Sequence, residues 1–111
     1  MAALAVGLLP EDPLAAAALF HGEIVPQVRA AIEAGDAALV IAFPPASPAH
    51  RDWRRAAIAT LARELAPARI NAVEGEDRAA LAAATAWLLD AAGVTGQLFP
   101  LDSQGAGKLL R

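Results

Sequence analysis

Short apolar runs, closed by proline, glycine or acidic residues, alternate along the chain with longer stretches whose apolar positions recur every three to four residues. Residues 3–9 are apolar throughout and end at Pro10, the pattern of a short buried strand. Asp12 and Pro13 then provide an N-cap and a first helical residue for a stretch over residues 14–34. Ile24, Val25, Val28, Ala31 and Ile32 follow helical spacing there, and Pro26 predicts a kink or a restart because it lacks a backbone donor. Gly35 and Asp36 end that stretch. Residues 37–43 are apolar at consecutive positions, as in a central parallel strand covered on both faces.

Pro44, Pro45 and Pro48 break the strand, and a helix is predicted over residues 49–65. Trp53, Ala57, Leu61 and Leu65 form its apolar stripe, with Arg51, Arg54, Arg55 and Glu64 placed mostly elsewhere on its surface. Pro67 stops it. Residues 69–73 read as a third strand, 74–77 as a turn, and 78–91 as a helix with Leu81, Ala84, Leu88 and either Trp87 or Ala91 facing inward. After Gly93, residues 97–101 read as a fourth strand, which Pro100 assigns to an edge. The tail, residues 103–111, is polar and glycine-containing and holds at most one helical turn.

Strand and helix alternate throughout, so the pattern predicts one α/β domain over residues 1–111, with about four parallel strands in two or three layers. With strands in sequence order and right-handed crossovers, the helices are expected on one face of the sheet. The other face would then be bare. Covering some 400 Å² of it would be worth roughly 10 kcal/mol before association costs. Either the segment after Gly93 folds over that face or another subunit does, most simply in a homodimer.

Composition narrows the function. The chain is 57% hydrophobic with a mean hydropathy of +0.42, much of it alanine, which favours helix. No apolar run approaches the roughly 20 residues of a membrane span. The apolar N-terminus has no basic start and runs into Glu11 and Asp12, so a signal peptide is not expected and the cytoplasm is the expected compartment. The absence of cysteine excludes disulfides, thiolate nucleophiles and Cys-based metal sites. A net charge of −3 with scattered arginines argues against nucleic acid as a partner.

Two blocks carry a specific resemblance. Leu61-Ala62-Arg63-Glu64-Leu65-Ala66-Pro67 leads into Arg69-Ile70-Asn71-Ala72-Val73, and Ala86-Trp87-Leu88-Leu89-Asp90 is followed by Val94-Thr95-Gly96-Gln97 and then Leu101-Asp102. In order and separation these blocks resemble the later part of the short-chain dehydrogenase/reductase family. The match is specific over residues 56–102 and looser before. It implies the C-terminal half of a Rossmann-like fold, from the family's fourth strand to its last. Family subunits commonly pair through the two helices corresponding to residues 14–34 and 49–65. That makes Val28, Ile32, Trp53 and Leu61 the implied interface residues. The implied partners are a second copy or a full-length dehydrogenase of the same family.

The departures bear on chemistry. Neither the family's glycine-rich dinucleotide turn nor any G-x-G-x-x-G motif occurs, and the chain has no tyrosine. Counting back from Asn71 puts Arg51, or Arg55 with a gap, near the family's catalytic lysine, while Lys108 lies in the tail. The family serine falls near Phe43 or Pro44, with Ser47 only a neighbour, and Glu74-Gly75 replaces the family's Pro-Gly. These losses remove general acid catalysis and the phosphate-binding turn, so no cofactor is expected and hydride transfer is improbable.

Other groupings read as structural. His21 and His50 lie on different helices without a third fixed metal ligand. Gly105-Ala106-Gly107-Lys108 lacks the rest of a phosphate loop. Arg51, Arg54 and Arg55 around Trp53 read as a solvated helix face rather than a phosphate grip. Glu74, Glu76 and Asp77 read as cap and dipole chemistry rather than a cation site. The function expected is that of a non-catalytic, oligomerising or partner-binding subunit. The alternative is a small nucleotide- or ligand-binding domain using the crevice at the strands' C-terminal ends. Pro10, Glu11, Pro44, Ser47, Glu74, Glu76 and Asp102 would line it.

Overall fold

A computed structural model describes residues 3–101. Four parallel strands stand side by side in sequence order: β1 (Ala3–Ala5), β2 (Ala38–Phe43), β3 (Arg69–Glu74) and β4 (Leu98–Pro100). Helices connect them in the alternating, Rossmann-like manner that the apolar pattern predicts. α1 (Pro13–Leu19) passes through a π-helical turn (Phe20–Ile24) into α2 (Val25–Glu33). α3 (Arg51–Glu64) follows a 3₁₀ turn (Pro48–His50), and α4 (Arg78–Asp90) precedes β4.

Local chemistry sets most boundaries. Asp12 caps α1 by accepting from the Ala15 N–H, and Asp77 caps α4 by accepting from Ala79 and Ala80. Pro26 sits in the first turn of α2, and the break the sequence predicts falls just ahead of it as the π turn. β1 is shorter than the apolar run over residues 3–9. The Val6 N–H still donates to the Ala42 carbonyl, but β2 then runs into Pro44 and Pro45, which cannot continue a ladder, and Leu8 is exposed.

β2 is buried at four of its six positions, and its alternate residues serve two cores. Leu39, Ile41 and Phe43, with Ile70 and Ala72, pack against Phe20, Val28, Ala57, Ile58 and Leu61 of α1–α3. Val40 and Val73 pack against Ala84 and Leu88 of α4. The expectation of all helices on one face therefore fails. α4 lies on the opposite face, giving three layers. β4 continues outward in the same direction while its helix crosses over, so the third connection has the opposite hand to the first two.

Polar side chains of β3 fasten that third connection. Arg69 donates to the carbonyls of Leu88, Leu89 and Ala91 at the end of α4, at 2.7–2.9 Å. Buried Asn71 donates to Val94 O and accepts from the Gln97 N–H. The Ile70 N–H donates to the Thr95 hydroxyl, and the Gly96 N–H to Ile70 O. Gly96 has φ +76°, and a Cβ there would stand 3.4 Å from that of Ala62 on α3, so the turn requires glycine. Replacing Arg69 by Leu orphans the last carbonyls of α4. Urea unfolding should show a loss of about 2–3 kcal/mol, without loss of the far-UV helical signal at zero denaturant.

Candidate functional site

The C-terminal ends of β1, β2 and β3 open onto a crevice divided by the Pro44–Ser47 loop. One side is a cavity of about 530 Å³ lined by Leu8, Leu9, Pro10, Glu11, Ser47, His50 and Arg54 among others. The other, of about 300 Å³, lies against Glu74, Gly75, Glu76, Asp77 and Leu101. The loop residues Pro45 and Ala46 line both.

Arg54 is the largest fully buried side chain among the described residues, 1% exposed, although helical spacing placed it on the outer surface of its helix. Its environment explains the inversion. The guanidinium lies 4.5 Å over the Phe43 ring, and Nη1 donates to Pro44 O at 2.8 Å and to Glu74 Oε2 at 2.5 Å. Glu74 is the last residue of β3, on the α3 face, so it is a structural counter-ion and not part of a capping turn. Of the acidic trio only Asp77 caps α4. Arg51 and Arg55 are exposed, so the predicted basic cluster is split by burial.

His50 is 4% exposed. The Trp53 indole N–H, which can only donate, points at His50 Nδ1 at 3.0 Å, so Nε2 carries the ring proton and donates to Glu11 O at 2.9 Å. Phe20, Phe43 and Trp53 close round these groups with ring centroids 5.4–6.0 Å apart. His21 is exposed, with Nδ1 on Ala17 O. No group of three potential metal ligands occurs among the described residues.

Of the crevice residues expected from sequence, Pro10, Glu11, Pro44 and Ser47 line the larger cavity, and Glu74 and Glu76 the smaller. Asp102, Gly105 and Lys108 lie outside the described residues. Among the implied interface residues, Val28 and Leu61 are buried in the chain's own core and are unavailable to a partner, while Ile32 and Trp53 are half-buried against it. Sequence reading missed the buried role of Arg54. Its one visible signal was Glu74, a carboxylate at the end of β3 on the same face as the apolar Ile70 and Ala72. It also left open whether Trp87 faces inward. Trp87 is 42% exposed.

What the crevice can do chemically is limited by these commitments. Arg54 holds Glu74, both ring nitrogens of His50 are bonded, and Asp77 bonds backbone N–H groups. Among the described residues the buried side-chain polar atom left without a partner is Arg54 Nε, and exposed Glu11, Ser47 and Glu76 also line the crevice.

The model of the SDR-like family, described as short chain dehydrogenase-like proteins, matches residues 4–101. No curated protein and no solved structure matches the chain. No helix among the described residues is long and apolar enough to cross a membrane.

The Arg54–Glu74 pair generates a directional prediction. Glu74→Ala leaves a buried, unmatched guanidinium and should cost about 3 kcal/mol in urea unfolding. The double variant Arg54→Met/Glu74→Leu, which removes both charges, should lie within about 1 kcal/mol of the parent.

Proposed function

The chain belongs to the SDR-like family of short chain dehydrogenase-like proteins, and from that premise we propose that it is a non-catalytic member that works by self-association or by docking on a partner. One observation carries this reading. The titratable side chains buried at the crevice, Arg54 and His50 with the counter-ion Glu74, are bonded to one another or to backbone. The carboxylates otherwise lining it without a bond, Glu11 and Glu76, are exposed, so no buried, positioned general acid or base is left there. The chain also has no tyrosine, and its one lysine lies in the tail. What remains is a sheet-and-helix framework with apolar surface to spare: Leu8, Leu14 and Trp87 are exposed. Size-exclusion chromatography with light scattering should give a mass above the 11.4 kDa of one chain, or co-purification with a dehydrogenase of the same family. A monodisperse monomer that captures no such enzyme would sink the reading.

A second reading is favoured by the larger cavity and the unpaired Arg54 Nε beside it: a small-molecule site at the strands' C-terminal ends. Thermal-shift measurements with nicotinamide, flavin and adenine nucleotides at millimolar concentration separate the two. The non-catalytic reading expects no shift. A rise of several degrees with one nucleotide would favour the ligand-binding alternative.

A further inference from the structure

Arg54 reaches the crevice with half of its guanidinium unused. Both of its hydrogen bonds leave from Nη1, to Pro44 O and to Glu74 Oε2. Among the described residues the Nε–Nη2 edge meets no acceptor, and Nε is buried. A buried donor without a partner is costly to keep, whereas an exposed one bonds to water. Arg54 is 1% exposed and forms part of the wall of the larger cavity, so that cavity is the open space from which an acceptor can reach it.

The free edge specifies the acceptor. Nε–H and one Nη2–H run parallel, spaced for two oxygens on one carbon, so a carboxylate takes both where a lone carbonyl or hydroxyl takes one. The neighbouring helix end favours the same charge. Ser47 makes no side-chain cap on the 3₁₀ turn that leads into α3, and it lines the cavity together with His50. The positive end of a helix of 14 residues therefore stands beside Arg54. Glu74 already balances one charge through Nη1, which suits a singly charged ligand better than a phosphate dianion. Glu11, the other carboxylate on this cavity, is exposed, and water screens it.

The remaining walls are apolar. Leu8, Leu9, Pro10, Pro44 and Pro45 line a volume of about 530 Å³, within the range that holds small ligands. Leu8 is 92% exposed at the mouth, an apolar side chain that a bound hydrocarbon would cover.

We propose that the larger cavity binds an apolar monocarboxylate of the alkanoate type. Its carboxylate bridges Arg54 Nε and Nη2, and its hydrocarbon body lies against Leu8, Leu9 and the prolines. This rests on the second reading above, of a small-molecule site at the strands' C-terminal ends, and names the ligand class.

Octanoate is the probe, and octanamide its neutral counterpart of equal length. In heteronuclear NMR titrations of the parent chain, octanoate should saturate and shift the Arg54 Nε–H and Trp53 Nε1–H signals. Octanamide should bind at least tenfold more weakly. Leu8→Asp places a like charge at the mouth on a side chain the core does not use. It should weaken octanoate at least tenfold with an unchanged urea midpoint, whereas Leu8→Lys should not weaken it. Arg54→Met/Glu74→Leu, expected above to keep the parent's stability, should lose the preference for octanoate over octanamide. Equal binding of the two probes by the parent would overturn the carboxylate site and leave the small-molecule reading standing. So would octanoate binding indifferent to both Leu8→Asp and the double variant, or binding of a nucleotide but not of octanoate. No response to either probe or to any nucleotide would overturn both.

Discussion

A central strand apolar at consecutive positions, paired with a neighbour that carries apolar side chains on both sides, demands cover on both faces of the sheet, and most of this structure follows from meeting that demand. β2 and β3 each send alternate residues to opposite sides, and four of the six in each strand are buried. The first two crossovers both lay their helices on one side. Unless the third changed hand, Val40 and Val73 would face water. Changing hand runs against the strong preference of parallel connections, and the structure offsets that preference with directed polar bonds. Arg69 and Asn71, on the same side of β3 as Val73, hold the end of α4 and the following turn.

Those bonds give the resemblance blocks a physical meaning. Arg69-Ile70-Asn71 and Val94-Thr95-Gly96-Gln97 are one structural unit split across the sequence. The strand supplies a guanidinium, a carboxamide and a backbone N–H. The turn supplies carbonyls, a hydroxyl and a glycine at positive φ that slips beneath Ala62. Neither block is stable in this geometry without the other, because each satisfies buried donors or acceptors of its partner. Their joint presence therefore reports scaffold and says nothing of redox chemistry.

At the other end of the strands the same economy of polar groups has a different result. Burying Arg54 beside aromatic rings requires a counter-charge, and Glu74 is spent on it. His50 is fixed as one tautomer between an indole and a carbonyl. A crevice with these groups set into its walls has shape but few free proton carriers. On the remote face α4 has the opposite character, with little polarity and an apolar surface left over.

Strand and helix order, the caps at Asp12 and Asp77, the edge position of β4 and the family were all legible from sequence, because each depends on neighbours a few residues away or on short motifs. What the chain alone could not disclose depends on where distant elements meet. Period and spacing give a helix face but not which side of the sheet receives it, so the position of α4 stayed hidden. They also counted Arg54 among surface residues, since its counter-ion lies twenty residues downstream on another strand and meets it only once β3 is paired beside β2. Burial of Val28 and Leu61, and exposure of Trp87, were settled in the same way. Local chemistry decides what each segment becomes, and only packing in three dimensions decides which of its sides remains free.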